Sequence, residues 1–512
     1  MSEPLPLTHP LSRFLDRPPS DFRRADLLKV VAEYGIERFS FHYTGMDNQL
    51  KELKLPFSDL AQAERILAAG ERVDGSSLFK GLVDASNSDL YVVPRYRTAF
   101  VSPFDPRSLD FMCRFLDRDG NRAPFPPDNI LSLAHQRFKE QTGLAFHALG
   151  ELEFFLVGDG GPRLFNPGRQ TGYHASAPFF TFGDVVNEMV RHIMQITGAV
   201  KYAHAEVGFI DSIRSDLEVL KGKRAEQHEI EFLTRPIEEM GDFIAMSRWI
   251  IRNVAFRRGM LATFAPKLEE GVAGNGFHVH MELVRDGKNI MLDEAGALST
   301  EALKLIGGLI HHASTLSAFG NTVASAFLRL VPNQEAPTRI AWSDCNRSAL
   351  VRVPLGWRKS ADLARAVNPS EPTPYEDTRG HQTVEIRSPD GSAFFNLLLA
   401  GLTAAALHGL TQPGMLELAQ KTKVEGNVFS DDELMSQLEP LPGSCMAAAR
   451  LLESRRALYE RDGLFPARVI DHVVAQLRRE QDDSINETMA HLSAEERLTA
   501  TRQIMHRDIH RS

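Results

Sequence analysis

Cysteine is scarce: Cys113, Cys345 and Cys445 are the only three in 512 residues. They are far apart, odd in number and form no CxxC pair. Neither a disulfide framework nor a zinc ribbon follows from them, and a reducing cytoplasmic setting is the expectation. A long apolar run is also missing. The longest mainly apolar stretch, Leu397–Leu407, is about half of the ~20 residues that a membrane-spanning helix needs. The opening MSEPLPLTHP has no basic start followed by an apolar core, so no signal peptide is expected. Excess positive charge is absent too, with a formal net charge of -9. The basic stretches at 252–258 and 455–461 lie in helical patterns and read as solvated faces or subunit contacts rather than a nucleic-acid surface. There is no GxxxxGK[ST] loop, no GxGxxG and no repeat of fixed period. Any nucleotide must therefore be held by another phosphate-binding device.

What is present is an ordinary globular composition, 43% hydrophobic and 24% charged. The length exceeds one compact core, so two or more domains are expected. Residues 1–20, rich in proline, read as a loose arm. A helix over 21–35 precedes a strand at Ile36–Tyr43, and Leu90–Val101 reads as a pair of strands. The segment 118–127, with Gly120, Pro124, Pro126 and Pro127, breaks regular structure and is the best linker. It divides the chain into a small unit, 22–120, and a large one, 121–512. In the large unit the patterns predict strands at Phe146–Val157, Tyr202–Val207, Phe277–Val284 and Thr383–Arg387. Helices are predicted at Phe182–Thr197, Met240–Gly259 and Thr300–Thr315, with more from Met446 onward. Strands and helices mix without βαβ alternation, so the fold class is α+β.

Chemistry concentrates in five strand-like segments. Glu151 and Glu153 lie two apart, so on a strand they share a face about 6–7 Å apart. Such a pair is either a solvated face or a cation site, because adjacent carboxylates repel unless a cation lies between them. His204-Ala205-Glu206 and Gln227-His228-Glu229-Ile230-Glu231 follow. His278 and His280 also share a face after the glycine-rich Gly274-Asn275-Gly276, and structural and ligand readings are about even there. Glu385 and Arg387 fit either a structural ion pair or a site. Carboxylates outnumber imidazoles, and this balance suits Mg²⁺ or Mn²⁺ better than zinc. Arg329, Arg347, Arg352 and Arg387 sit in apolar, strand-like contexts. That placement is costly unless anions or the glutamates pair with them.

In order along roughly residues 30–410, these segments resemble the glutamine synthetase superfamily. Val73-Asp74-Gly75-Ser76-Ser77 looks like its F-D-G-S-S loop and Gly150–Phe155 like its G-x-E-x-E-F strand. Gln227-His228-Glu229 looks like Q-[HN]-E, and Gly274–His280 like G-x-G-x-H-x-H. Arg329–Pro337, Asn346–Pro354 and Glu385–Asp390 resemble R-L-V-P-x-x-E-A-P, N-R-S-A-x-x-R-x-P and E-x-R-x-P-D. The resemblance implies a small N-terminal β-grasp domain, then a large catalytic domain with a curved antiparallel sheet flanked by helices. It implies ATP-dependent ligation of ammonia to the γ-carboxylate of L-glutamate, or a related ligation of an organic amine. Two or three Mg²⁺ or Mn²⁺ ions per site are implied, one at Glu153, Glu206 and Glu229 and another at Glu151, His278 and Glu385. Arg329 and the Gly274 backbone would hold the glutamate α-carboxylate end, and Arg387 the γ-carboxylate. Arg347 and Arg352 would face the phosphoryl group, with His280 and Arg352 toward the nucleotide. Asp74 and Ser77 of a neighbouring subunit, with Tyr173 and Glu206, would form the ammonium pocket, and Glu335 would close over the intermediate. A homo-oligomer, a double-ringed dodecamer, is the implied assembly, without nucleic acid or membrane.

The chain departs from that pattern in places. The residues after Glu206 include an added segment, 208–224, that reads as a hairpin or short amphipathic turn. The family's Asn on the amino-acid loop is Ala273, its nucleotide-contacting Arg is Thr383, and the Ser after H-x-H is Glu282. The Trp after D-G-S-S is Phe79. Phe429 stands where the family's regulatory tyrosine would be, so no hydroxyl is available for adenylylation there.

Overall fold

The computed structural model describes residues 5–160, 164–168, 170–331, 336–356, 362–376 and 379–511. The first sheet has six strands. Leu50–Pro56, Arg38–Thr44, Ser108–Leu116, Asp89–Pro94 and Glu71–Asp74 lie in that order, and Phe100–Val101 pairs beside Ser108–Leu116. The central Ser108–Leu116 strand is buried along nearly its whole length and pairs in parallel with Arg38–Thr44. Phe39, Phe41, Phe111 and Phe115 fill the interior beneath the helices Arg24–Tyr34 and Leu60–Ala69. The predicted strand pair at 90–101 is two strands interrupted by a turn at Tyr96–Thr98.

The second sheet is larger and almost entirely antiparallel. Its order is Trp342–Asp344, Val351–Val353, Val384–Ile386, Phe277–Arg285, Ala145–Gly158, Arg224–Phe232 and Val200–Ile210, with short strands at its margins. Each predicted strand is found, within a few residues at either end. Helices Ile237–Arg257, Pro127–Thr142 and Thr300–Gly320 pack against the sheet, and Phe395–Thr411 packs on all three of them. The apolar stretch around Leu397–Leu407 is the centre of one of them and is buried. Among the described residues, no helix is long and apolar enough to cross a membrane.

The two sheets share one continuous apolar core, from Leu11 to Leu477. At their junction Asp242 accepts from Arg95 at 2.7 Å and from Arg114 at 3.0 Å, while Arg114 also meets Asp128 at 3.1 Å. Such buried pairs are strongly destabilising when one partner is removed. The N-terminal stretch, expected to be a loose arm, is exposed at Leu5 and Leu7 but anchored at His9 and Leu11. His9 caps a short helix, Pro10–Leu15, and Leu11 is fully buried. Proline here starts a helix, where its missing N–H costs nothing.

Three histidines cluster where the helices Thr300–Gly320 and Phe395–Thr411 meet. The His311 and His408 rings stack with centroids 4.6 Å apart, and His312 lies 5.1 Å from His408. His312 is fully buried, and neither ring nitrogen has a hydrogen-bond partner among the described residues. Burial, followed by the neighbouring imidazole and arginine charges, holds His312 well below its ordinary range and His408 down to about 4. The unfolded chain takes up these protons first, near the usual value of about 6.5. Stability from this cluster is therefore complete above that pH and is lost as pH falls toward 4. Urea midpoints should drop steadily between pH 7 and pH 5. The drop should be shallower for His312→Phe, with the wild-type slope overturning this assignment.

Candidate active site

The site forms on the concave face of the large sheet because strand residues two apart share a face. Register then aligns the strands: Glu151 lies opposite His278 and Glu231, Glu153 opposite Glu229, and Glu385 opposite His280 and Arg352. Of the residues that the resemblance implied, Glu151, Glu153, Glu206, Glu229, His278, Tyr173, Gly274, Arg329, Arg347, Arg352 and Arg387 line one cleft. Glu385 and His280 sit at its base. Glu335 lies outside the described residues.

One side of the cleft is electrically balanced. Glu151 meets His278 Nδ1 at 2.7 Å and His280 Nε2 at 2.9 Å. Burial alone would raise this carboxyl, but the two imidazoles outweigh it and hold Glu151 well below its usual range. Glu385 is fully buried between Arg387 and Arg352, the latter at 2.9 Å. Burial again pushes upward and Arg387 prevails, so Glu385 stays low. His280 is lowered by burial but raised more by Glu151 and Glu385. Its Nδ1 lies 2.9 Å from the Thr383 hydroxyl, which fills the position of the family's arginine.

The other side lacks that balance. Glu206 is pushed up to about 8, by burial first and then by the charge of Glu153. Glu229 is pushed well above its usual range by burial and then by Glu151, Glu153 and Glu206. Burial and Glu151 also raise Glu231, against Lys201 at 2.6 Å. Buried carboxylates this close remain ionised only with cations among them. Ligand atoms of Glu151, His278 and Glu385 lie within 4.8 Å of one another, as do those of His204, Glu206 and Glu229, and those of Glu151, Glu229 and Glu231. Oxygen-dominated sets of this kind fit Mg²⁺ or Mn²⁺. Glu153 is held differently: Gln227 Nε2 and the Gly276 N–H donate to it at 3.0 and 2.9 Å.

Backbone irregularities aim the side chains. Residues 206–208 bulge out of the pairing, between the partners Ala205↔His228 and Phe209↔Glu226. A bulge of this sort re-aims a side chain beside a site, and here it turns Glu206 into the cleft. Its Gly208 lies so close to Gln227 Oε1 that a Cβ would approach to 2.4 Å. At Gly276 a Cβ would lie 2.6 Å from His278 Nε2, 2.8 Å from Glu153 and 2.9 Å from Arg329 Nη2. Glycine is therefore required where the amino-acid loop crosses the site.

Two arginines differ from their predicted context. Arg329 is on a helix, Ala324–Arg329, rather than a strand, and its guanidinium is buried against Ser388 O at 3.0 Å and His278 Nε2 at 3.2 Å. Arg347 is exposed on the loop between Trp342–Asp344 and Val351–Val353. Arg329 ends its helix, and Arg347 precedes a true strand, Val351–Val353, that begins four residues later. Asp74 and Ser77 are not among the cleft's lining residues. Asp74 ends the exposed edge strand of the small sheet, where hydrogen bonds from Ser77 at 2.5 Å and Ser76 at 2.7 Å hold its carboxyl down at about 2.

Sequence reasoning singled out neither Gln227, His204 nor Glu231 as a site residue. Gln227 joins Glu153, Gly274 O at 3.1 Å and the Gly208 N–H at 3.0 Å. His204 lies 3.2 Å from Glu229 and 3.7 Å from Glu206. The available signal was period two: each stands two residues from a glutamate already assigned to that face.

A small sheet followed by a large antiparallel one with a carboxylate, imidazole and arginine cleft defines a two-domain α+β enzyme. Residues 35–118 match the family profile "Glutamine synthetase, beta-Grasp domain" and residues 125–495 match "Glutamine synthetase, catalytic domain". The chain belongs to the glutamine synthetase family. It is 28% identical to the glutamine synthetase of Thermus thermophilus over 477 residues, 90% of this chain and 96% of that one. It is 30% identical to that of Halobacterium salinarum over 450 residues, 85% of this chain and 88% of that one. Among solved structures, Plasmodium falciparum glutamine synthetase superposes with a TM-score of 0.69 at 19% identity, covering 93% of this chain and 98% of that one. A structure titled "Apo GmaS without ligand" superposes at 0.70 and 21% identity, over 93% and 99%.

A cation that binds the native cleft and not the unfolded chain stabilises the protein by about 2.7 kcal/mol at a hundred times its Kd. Added Mn²⁺ should raise the melting temperature, and Glu229→Gln should shrink that rise. An unchanged melting temperature at millimolar Mn²⁺ argues against a metal cleft.

Proposed function

We propose that the protein joins ammonia to the γ-carboxylate of L-glutamate at the expense of ATP, giving glutamine, ADP and phosphate. The observation that carries this reading is one cleft that combines uncompensated carboxylates with Arg329, Arg347, Arg352 and Arg387. Relatives named glutamine synthetase support the same choice of substrates. Two or three Mg²⁺ or Mn²⁺ ions at the glutamate and histidine sets would neutralise phosphate charge when bound.

The residues divide the work. Arg329, locked by Ser388 and His278, presents a fixed fork to the α-carboxylate beside the Gly274 backbone. Arg387 orients the γ-carboxylate, whose oxygen attacks the γ-phosphorus of ATP as the bond to ADP breaks. Arg347 and Arg352 steady the transferring phosphoryl group, with His280 toward the nucleotide. The product is γ-glutamyl phosphate. Asp74 and Ser77 of a neighbouring subunit, with Tyr173 and Glu206, hold ammonium. Asp74 is anionic and exposed, so its charge attracts ammonium, whose proton it takes as ammonia attacks. Ammonia then attacks the carbonyl carbon and phosphate leaves, with Glu335 shielding the intermediate. The absence of Asp74 from the lining of its own chain's cleft supports a site completed by a second copy, and the assembly proposed is a double-ringed dodecamer.

A second reading has a specific observation behind it. The rings of Tyr173, His174, Tyr202 and His204 gather at one side of Glu206 and Glu229. Tyr173 and His174 centroids are 4.3 Å apart, and His174 and His204 are 4.5 Å apart. An aromatic rim of this kind favours an alkylammonium over bare ammonium. ADP release with ammonium compared against a panel of primary amines decides between the two. A rate at least tenfold higher with an amine overturns the ammonia reading.

Glu153→Ala should abolish ADP release while leaving far-ultraviolet circular dichroism unchanged. Full activity of that variant contradicts the assignment. Inactive Asp74→Ala and Glu335→Ala proteins, dissociated, mixed and reassembled, should regain a measurable fraction of activity. No recovery argues for sites contained within one subunit.

A further inference from the structure

The connection 211–223, within the segment 208–224 read as added, and the C-terminal helix Ala494–Arg507 meet at the loop 264–276. The helix lies almost wholly beyond the matched catalytic-domain residues, which end at 495. The added segment closes its own hairpin, with Ile213 N–H donating to Lys223 O and Gly222 N–H to Ile213 O, each at 2.9 Å. Ile213 and Leu220 from it, Ala265, Leu268 and Val272 from the loop, and Ile509 from the C-terminal segment share a small apolar core. This core is separate from the main one.

His506 ties the three pieces together. Its Nε2 lies 2.9 Å from Leu268 O, and its Nδ1 lies 2.9 Å from Ser215 Oγ. A carbonyl only accepts, so the proton is on Nε2. Nδ1 then accepts from the Ser215 hydroxyl, whose oxygen in turn accepts from the Leu217 N–H at 3.1 Å. Burial lowers the imidazole's proton affinity, in keeping with this neutral tautomer. Arg502 pairs with Glu269 at 3.2 Å, and Thr263 Oγ1 donates to Ile509 O at 2.8 Å.

The same C-terminal segment reaches the helix that carries Arg329. Ser325 donates to Asp508 at 2.9 Å, and the Ala324 N–H donates to Glu480, which also pairs with Arg507. One segment thus grips both elements, the Gly274 loop and the Arg329 helix, that the proposed function assigns to glutamate's α-carboxylate end. Within the loop, Asn275 N–H donates to Pro266 O at 3.0 Å and Asn275 Nδ2 to Ala265 O at 2.9 Å. A shift at 265–268 is therefore transmitted directly to Gly274.

We propose that the 211–223 connection and the C-terminal segment form a clasp that sets the amino-acid site, with His506 as its positioning residue. The inference rests on the reading of that site as the glutamate site. Loss of a buried hydrogen bond with its partner left unpaired corresponds to about tenfold. His506→Ala should raise the KM for L-glutamate about tenfold, while kcat and the KM for ATP stay within about twofold. His506→Gln keeps an N–H donor toward Leu268 and should recover most of the loss. Ser215→Ala should give a smaller rise. Hydrogen–deuterium exchange of the full-length His506→Ala protein should quicken at 264–276 and 324–329 and not in the small sheet. If wild-type protein releases no ADP with L-glutamate, the glutamate reading fails, and the exchange pattern still decides the clasp. Unchanged exchange at 264–276, faster exchange throughout the molecule, or a wild-type KM for glutamate in an active His506→Ala enzyme overturns the clasp.

Discussion

Repulsion among buried carboxylates is the constraint on which the rest of this structure depends. Glu151, Glu153, Glu206, Glu229, Glu231 and Glu385 face one cleft from four strands, where each ionised neighbour raises the cost of the next. The fold compensates half of the cleft with His278, His280, Arg352 and Arg387. It leaves the half around Glu206 and Glu229 to be neutralised from outside. A core of well-packed apolar residues would be cheaper in stability than such a cluster. In the proposed function, charge from cations and phosphates completes the arrangement.

Support for the cluster comes from layers behind it. Gln227 holds Glu153 and the carbonyl of Gly274 at once, so a cleft carboxylate and the loop at 264–276 move together. The apolar helices packed against the sheet keep the strands in register, and one residue of slip would turn every glutamate into that core. Outside the loop, the C-terminal segment and the added connection press on the same backbone. Site precision thus comes from parts of the chain far from the chemistry, consistent with the need to hold reacting groups within a fraction of an ångström.

The contrast between the two faces of the junction is also physical. The pairs Arg95–Asp242 and Arg114–Asp128 are closed within the chain and serve to seat one sheet against the other. Asp74, by contrast, lies on the exposed edge strand of the small sheet, where Ser76 and Ser77 donate to its carboxylate.

Much of this was legible along the chain, because strand spacing and motif order are local properties. Period two placed Glu151 with Glu153 and His278 with His280 on shared faces, and the ordered motifs carried the family and its α+β architecture. Apolar neighbours made Arg329 and Arg347 look strand-borne, whereas a helix end and an exposed loop carry them; a few residues of local pattern cannot separate these cases. The proline-rich start looked loose, since Leu11 is buried only by contact with residues distant in sequence. Strand partners, the bulge that turns Glu206 inward, the threefold grip of Gln227 and the meeting of His506 with Ser215 and Leu268 were decided by tertiary structure alone. They depend on pairings between segments tens to hundreds of residues apart, and no local spacing encodes which carbonyl a side chain will meet.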